Sequence, residues 1–178
     1  MKYSLFKSKN TKEIIHLFTQ VFSASEGAEE GNSIGKLVQD LVTQTNKQDL
    51  IGCISKDEGK INACLFFSRF IVPSNQKAFL LSPVAVATEY QGQGIGQGLI
   101  DFGLDCLKNQ KVSLVFTYGD PSFYSKIGFE QISEKTTKPP FPLSQPEGWL
   151  AQNLEGDSLK KMTGDSRCVE AFNDKDYW

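Results

Sequence analysis

The residues most suited to binding chemistry lie in a glycine-rich turn that follows an apolar segment. Residues 81–98 read LSPVAVATEYQGQGIGQG, with Gly92, Gly94 and Gly96 alternating with other residues. Glycine lets the backbone turn tightly and leaves its N–H groups unobstructed. If a helix begins directly after the turn, its first amides have no internal partners and the helix dipole adds partial positive charge. The pattern predicts a phosphate site that needs no lysine, and no lysine or arginine occurs between positions 79 and 105.

Two common phosphate-binding motifs do not match this turn. A P-loop needs Gly-Lys-Ser/Thr at its end, whereas Gly96 is followed by Gln97. A dinucleotide-binding turn needs G-x-G-x-x-G, and the three glycines in turn place Gln97, Leu99 or Asp101 where the last glycine belongs. The order of strand, turn, helix and strand still imitates a dinucleotide-binding unit, so a nucleotide-dependent oxidoreductase is kept as an alternative.

A second group with chemical potential is Tyr124, in the sequence YSKIGF at residues 124–129. This segment follows a predicted strand that ends in Tyr-Gly-Asp. The spacing Gln91-x-x-Gly94-x-Gly96 resembles the Q/R-x-x-G-x-G/A signature of the GNAT N-acetyltransferases, and residues 124–129 resemble that family's Y-x-x-x-G-F. The two motifs are separated by one predicted helix and one predicted strand, as in that family. Within the family, the chain resembles the YhbS-like group of predicted acetyltransferases.

The resemblance implies that acetyl-CoA is the co-substrate and that no metal is needed. Backbone amides of the turn would bind the pyrophosphate, and the preceding strand would offer its backbone to the pantetheine arm. Proline inside a strand removes a hydrogen-bond donor, so Pro83 suits a strand that parts from its neighbour there. The N–H near Val86 would face the developing oxyanion. The implied cofactor-binding residues are Val84, Ala85, Val86, Gln91, Gly92, Gln93, Gly94, Ile95, Gly96 and Gln97.

Tyr124 is the predicted general acid. Transfer of an acetyl group from a thioester to an amine expels a thiolate, and a phenol of pKa near ~10 can protonate a thiolate whose conjugate acid has a pKa near ~8.5. The competing interpretation is an aromatic residue that fills the core beside Phe123 and Phe129. Direct attack in a ternary complex is expected, because no G-x-S-x-G elbow is present and no cysteine has a histidine partner suggested by the sequence.

The general base is harder to assign. The attacking amine must be neutral, so a carboxylate acting directly or through water is expected. Glu30 is the candidate because it falls where the substrate-facing loop of the family usually lies, and Glu89 is the second choice. An ordinary surface charge is the more frequent role for both. His16 lies among apolar residues of the first predicted helix and is not expected to be the base.

Hydrophobic periodicity predicts an α+β fold in the order β-α-α-β-β-β-α-β-α-β. We expect the GNAT fold, with a central mixed, largely antiparallel sheet flanked by helices. Asn10 and Glu13 should form a capping box on the first helix, and Ser33 should cap the second after an acidic loop. The predicted strands are 3–6, 50–55, 61–70, 78–87, 112–118, 129–132 and 149–154, and the predicted helices begin at 10 and 33 or span 97–109 and 122–126.

Composition limits the remaining choices. The 178 residues carry a formal net charge of −2 without a run of one sign, which argues against nucleic-acid or membrane partners. One domain over 1–178 is predicted, with a core at about 3–132 completed by 133–178. The start of the chain lacks a secretory signal, so a cytoplasmic protein is expected. The acceptor would be a small-molecule or peptide amine, and a homodimer is one oligomeric state considered. The alternative function is a non-catalytic acyl-CoA-binding sensor or partner domain.

Overall fold

A computed structural model describes all residues from Met1 to Trp178. Its elements follow the order predicted from the sequence, and the strand predicted at 149–154 is present at Trp149–Asn153. The strands are β1 (Lys2–Leu5), β2 (Leu50–Asp57), β3 (Lys60–Phe70), β4 (Ala78–Val86), β5 (Leu114–Tyr118), β6 (Glu130–Gln131) and β7 (Trp149–Asn153). The helices are α1 (Thr11–Glu26), α2 (Ala28–Gln44), α3 (Ile95–Asn109) and α4 (Pro121–Tyr124).

The seven strands form one sheet in the order β1-β2-β3-β4-β5-β7-β6. Strand β4 pairs in parallel with β5, and the register places Ala78 opposite Leu114 and Leu81 opposite Thr117. Strand β7 is antiparallel to both β5 and β6, and β1 is antiparallel to β2. The mixed sheet with four helices confirms the predicted fold class.

The chain divides into two compact units. The first unit comprises Met1–Phe67 and Pro83–Gly103, and the second comprises Ser68–Ser82 and Leu104–Trp178. No helix of the chain has both the length and the apolar character needed to cross a membrane.

Within the first unit, α1 and α2 pack closely because glycines face small polar residues. A Cβ added to Gly31 would collide with the side chain of Ser23, and one added to Gly35 would collide with Thr19 Oγ1. Thr19 donates that hydroxyl hydrogen back to the Ile15 carbonyl, 2.9 Å away, so its polar atom remains satisfied at the crossing. The missing side chains therefore set the distance between the two helices.

The prediction of an acidic loop between these helices is wrong. Helix α1 continues to Glu26 and α2 begins at Ala28, so Gly27 alone, with φ of 100°, separates them. Two acidic residues, Glu29 and Glu30, occupy the first turn of α2, where negative charge is favoured by the helix dipole. The predicted cap Ser33 consequently lies inside α2.

The predicted capping box at the start of α1 is also wrong. Asn10 stands at the N-cap position but makes no side-chain capping hydrogen bond. Glu13 instead accepts a hydrogen bond from the backbone N–H of Ile61 at 3.1 Å. A tertiary contact with β3 has replaced the local one, which the sequence pattern alone does not encode.

The second unit is organised around aromatic rings. Phe116 and Trp149 stack at 5.4 Å on β5 and β7, and Phe70 packs against both at 5.0 and 6.0 Å. The final residue, Trp178, packs edge-on against Trp149 at 6.0 Å and donates its indole N–H to the Phe172 carbonyl at 3.0 Å. The final residues of the chain are therefore part of this unit's core.

Candidate active site

The glycine turn (residues 91–97) connects β4 and a short 3-10 turn to α3. Two of its glycines, Gly92 and Gly94, have positive φ angles of 73° and 78°. A Cβ at either position would meet no atom within 4 Å, so the space beside the turn is open. Positive φ explains why glycine is needed at both positions, and the open space leaves the backbone accessible to a ligand.

Helix α3 begins with free amides at this turn. Its first hydrogen bond runs from the N–H of Gly98 to the carbonyl of Gly94, at 3.0 Å. The N–H groups of Ile95, Gly96 and Gln97 precede that bond and have no acceptor in the protein. Three unpartnered amides at the positive end of a 15-residue helix are suited to bind phosphate oxygens.

Two glutamine side chains of the turn hydrogen-bond to the segment that precedes it. Gln91 Nε2 donates to the carbonyl of Val86 at 2.9 Å, and Gln93 Nε2 donates to the carbonyl of Glu89 at 3.1 Å. Both side chains thereby return to the segment that leads into the turn. Sequence reasoning assigned these glutamines only a backbone role and missed the bracing contacts, although a glutamine at the first motif position was a usable signal.

Strand β4 has two parts that differ in pairing and burial. Its parallel ladder with β5 covers Ala78–Leu81, and the strand itself continues to Val86. Beyond Pro83, Ala85 is buried whereas Val84 and Val86 are half-buried. The ladder ends two residues before Pro83, which agrees with the pairing change expected there.

Tyr124 is held by a short helix that is well defined by its sequence. Asp120 caps α4 by accepting a hydrogen bond from the Ser122 N–H at 2.8 Å, and Pro121 occupies the first helical turn, where its missing N–H costs nothing. The chain then leaves through Gly128, whose left-handed φ of 87° is typical of a glycine C-cap. Both ends of the segment are fixed.

The Tyr124 ring is enclosed by aromatic and glycine neighbours. It is 9% exposed and meets Phe123 and Phe129 edge-on at 5.0 and 5.7 Å. A Cβ at Gly119 would lie 2.7 Å from Tyr124 Cε2, so the ring occupies the space that this glycine leaves open. The predicted aromatic neighbours are present, and the contact with Gly119 was not predicted.

Burial raises the pKa of Tyr124, and the negative charge of Asp120 raises it further, while the Thr117 hydroxyl acts in the opposite direction. Thr117 is fully buried and donates its own hydroxyl hydrogen to the Leu81 carbonyl at 2.9 Å. The Tyr124 phenol therefore keeps its proton at neutral pH. No sequence signal pointed to Thr117.

The three candidates considered for the base have different surroundings. Glu30 lies half-buried in the first turn of α2 instead of in a loop, whereas Glu89 and His16 are exposed. No hydrogen bond or ion pair involves the side chain of any of them. The residues of the chain also form no cluster of three or more His, Cys, Asp or Glu side chains able to hold a metal ion.

Comparison with known proteins identifies the family. A model described as an acetyltransferase (GNAT) domain matches residues 41–131. The uncharacterized N-acetyltransferase YhbS of Escherichia coli strain K12 is 30% identical over 149 residues, covering 81% of this chain and 86% of YhbS. The uncharacterized N-acetyltransferase YjhQ of the same strain is 25% identical over 174 residues, covering 94% and 92%.

Solved structures show the same fold. The crystal structure of YhbS from E. coli in complex with CoA has a TM-score of 0.80 at 27% identity, covering 97% of this chain and 92% of YhbS. A GNAT family acetyltransferase from Brucella melitensis in complex with acetyl-CoA has a TM-score of 0.74 at 19% identity, covering 96% and 97%. Since the family model matches half of the chain and YhbS is 30% identical over most of it, the chain belongs to the GNAT family of acetyltransferases.

Proposed function

We propose that this chain transfers an acetyl group from acetyl-CoA to a primary amine. The observation that carries the proposal is the glycine turn, where the amides of Ile95, Gly96 and Gln97 have no acceptor in the protein and open space lies beside Gly92 and Gly94. The E. coli relative YhbS was crystallised with CoA, which supports the same ligand here. Membership of the GNAT family excludes the dinucleotide-dependent oxidoreductase alternative.

The turn from Gln91 to Gln97 binds the pyrophosphate through its backbone amides in this proposal. The backbone of Val84, Ala85 and Val86 binds the pantetheine arm. One acceptor on that strand already has a partner, because the Val86 carbonyl receives the Gln91 side chain. The sheet order places β3 on one side of β4, so the backbone groups of this segment that face away from β3 would bind the co-substrate in this proposal, with the N–H near Val86 as the oxyanion donor.

The reaction forms one bond and breaks one. The amine nitrogen attacks the acetyl carbonyl carbon, the new C–N bond forms, and the C–S bond breaks with its electron pair leaving on sulfur. Tyr124 supplies a proton to that thiolate, and the amine loses a proton to a base. A raised pKa keeps the phenol protonated at neutral pH, so the donor form is present before each turnover.

Glu30 is proposed as the base, acting directly or through water. Its half-buried place in the first turn of α2 fixes its backbone more firmly than a loop would. Replacing it with glutamine keeps the shape and removes the basic carboxylate. We expect Glu30→Gln to lower kcat without changing acetyl-CoA binding, and unchanged kcat would reassign the base.

The first experiment is thermal unfolding with and without acetyl-CoA, beside NAD and ATP. A ligand at about 100 times its dissociation constant adds roughly 2.7 kcal/mol to the stability of the folded state. Stabilisation by acetyl-CoA alone is the expected result, and its absence would contradict the proposal. Turnover is then measured as free thiol released over a panel of primary amines.

That panel separates the enzyme from the alternative of an acyl-CoA-binding sensor. Binding of acetyl-CoA without thiol release over any amine would assign the chain to the non-catalytic class.

We place the activity in the cytoplasm because acetyl-CoA is an intracellular co-substrate. The possibility of a homodimer can be tested by measuring the mass of the protein in solution.

A further inference from the structure

A pocket lies in the second unit, beside the middle of β4 and at the carboxyl end of the parallel strand β5. Ligands commonly bind outside the carboxyl ends of parallel strands. Leu80 and Ser82 supply one wall from β4, and Tyr118 supplies another from the end of β5. The rest of the lining comes from Phe172, Tyr177 and Trp178. Four of the six lining residues are therefore aromatic, and we call this the aromatic pocket.

Ring contacts hold the aromatic pocket in shape. Trp178 stacks on Tyr118 with centroids 6.4 Å apart and an interplanar angle of 13°. Phe172 packs edge-on against Tyr177 at 6.0 Å and against Trp178 at 6.4 Å. Because Phe172 and Trp178 are buried, the walls are already formed in the absence of a ligand.

Two of the polar atoms of these rings are already used elsewhere. The Trp178 indole N–H donates to the Phe172 carbonyl at 3.0 Å. The Tyr118 hydroxyl accepts from the Gln145 N–H at 2.7 Å and lies 2.9 Å from Ser144 Oγ. The lining contains no lysine or arginine, so only the hydroxyls of Ser82 and Tyr177 remain for a polar ligand. An anion would find little to neutralise it.

The charge of the segment that supplies three of the pocket's rings favours a cation. The segment 170–178, which supplies three of the rings, carries three acidic side chains and one lysine, all exposed: Glu170, Asp174, Asp176 and Lys175. The faces of aromatic rings attract ammonium groups, most strongly for tryptophan. The aromatic lining, the lack of basic residues in it and the net negative charge of segment 170–178 all point to the same class of ligand.

We propose that the aromatic pocket binds the second, charged nitrogen of a diamine or polyamine acceptor. The proposal rests on the proposed acetyl transfer and names its substrate class. Ser82 in the lining and Val84 in the segment assigned to the pantetheine arm belong to the same strand, β4, with only Pro83 between them in the sequence. One nitrogen of the acceptor is neutral and attacks, and the other remains an ammonium against the rings.

The test compares two acceptors of equal length, n-pentylamine and 1,5-diaminopentane. Both present a primary amine, and only the second carries another charge at its far end. A cation–π contact predicts that kcat/KM for the diamine exceeds that for the monoamine by about 3- to 30-fold. Equal values, or a preference for the monoamine, would overturn the proposal.

Tyr177 offers a matched pair of variants, because it lines the pocket but is only half-buried. Tyr177→Phe keeps the ring, and we expect it to keep the preference for the diamine. Tyr177→Leu keeps the bulk without the aromatic face, and we expect the preference to fall by about 2- to 10-fold. An unchanged preference in Tyr177→Leu, with an unfolding temperature like that of the wild type, would contradict the assignment.

A direct binding measurement separates this proposal from acetyl transfer itself. Titration of the protein with 1,5-diaminopentane is followed by tryptophan fluorescence without acetyl-CoA, which reports on Trp178 in the lining and on Trp149, whose ring packs against it at 6.0 Å. Saturable binding that Tyr177→Leu weakens would support the aromatic pocket even if acetyl-CoA failed to bind. Acetylation of n-pentylamine with no diamine preference and no diamine binding would leave acetyl transfer standing and reject the pocket.

Discussion

The glycine turn and the Tyr124 site are built in opposite ways. The turn offers unpartnered backbone amides beside glycines that border open space, and its glutamine side chains hydrogen-bond to the preceding segment. Tyr124 instead offers one hydroxyl from a ring that its neighbours enclose. This difference indicates that binding of the co-substrate depends on glycines without side chains in the turn, whereas the proposed chemistry depends on the tight packing of the Tyr124 ring. A substitution in the turn should therefore impair binding of the co-substrate, and a substitution at Tyr124 should impair catalysis without impairing that binding.

The largest expected effect comes from Tyr124→Phe. Losing a positioned general acid should lower kcat by about 10²- to 10⁴-fold, while stabilisation by acetyl-CoA is retained. Thiol release and thermal unfolding measure the two quantities. Tyr3→Phe, at a tyrosine of β1, is the control and should leave kcat unchanged.

The pH profile sharpens the same prediction. Because burial raises the pKa of Tyr124 above its ordinary value of 10.0, the phenol stays protonated as the pH rises through 10. The alkaline fall in kcat that belongs to this group should be centred above pH 10 and be missing in Tyr124→Phe. A wild-type fall centred below pH 10 that vanishes in the variant would contradict the burial found here.

The next effect is expected from Gly94→Trp. Position 94 has a positive φ and opens to the side where phosphate is proposed, so an indole there should abolish the roughly 2.7 kcal/mol of stabilisation by acetyl-CoA at about 100 times its dissociation constant. Gly156→Trp is the matched control, since Gly156 also has a positive φ and open space. If both variants respond to acetyl-CoA alike, the turn is not the binding site.

A smaller effect is expected from Gly119→Ala. The added methyl would lie 2.7 Å from Tyr124 Cε2, and such overpacking costs about 1–3 kcal/mol of the free energy of unfolding. Kcat should fall with it as the ring moves, whereas acetyl-CoA still binds. In a Tyr124→Leu background the penalty should shrink, because the two residues share one contact. An equal penalty in both backgrounds would exclude that contact as the cause.

Gln91→Ala should give the smallest effect. Its side chain is exposed and contributes one hydrogen bond to the Val86 carbonyl, worth about 0.5–1.5 kcal/mol. The turn would lose a brace but keep its amides, so affinity for acetyl-CoA should weaken by about 2- to 12-fold in a calorimetric titration. Gln20→Ala, at an exposed glutamine of α1, should leave affinity unchanged.

The turn was predictable because its requirements are local. Positive φ at Gly92 and Gly94 restricts those positions to glycine, and the following helix supplies its free amides from consecutive residues. Strand and helix positions were predicted within a few residues for the same reason, since hydrophobic period and glycine stops act over short stretches.

Of the residues that enclose Tyr124, Phe123 and Phe129 were predicted as neighbours, whereas Thr117 and Gly119 were not. The aromatic pocket was not predictable because its parts are far apart in the chain. Thr117 and Gly119 carry no motif, and the pocket joins β4, β5 and the final residues only after folding. The prediction of a loop at the α1–α2 junction was wrong for a related reason. Its acidic and glycine residues look like a loop, yet Gly31 is selected by a neighbouring helix rather than by its own backbone.

The placement of β7 has a consequence for the order of events during synthesis. Strand β7 is made after β6 but lies between β5 and β6 in the sheet. Until Trp149–Asn153 leaves the ribosome, one edge of Leu114–Tyr118 has no partner, and its apolar sequence is suited to pair with another chain. Nascent chains that stop short of Trp149 should therefore aggregate, and those that reach Asn153 should have this edge covered.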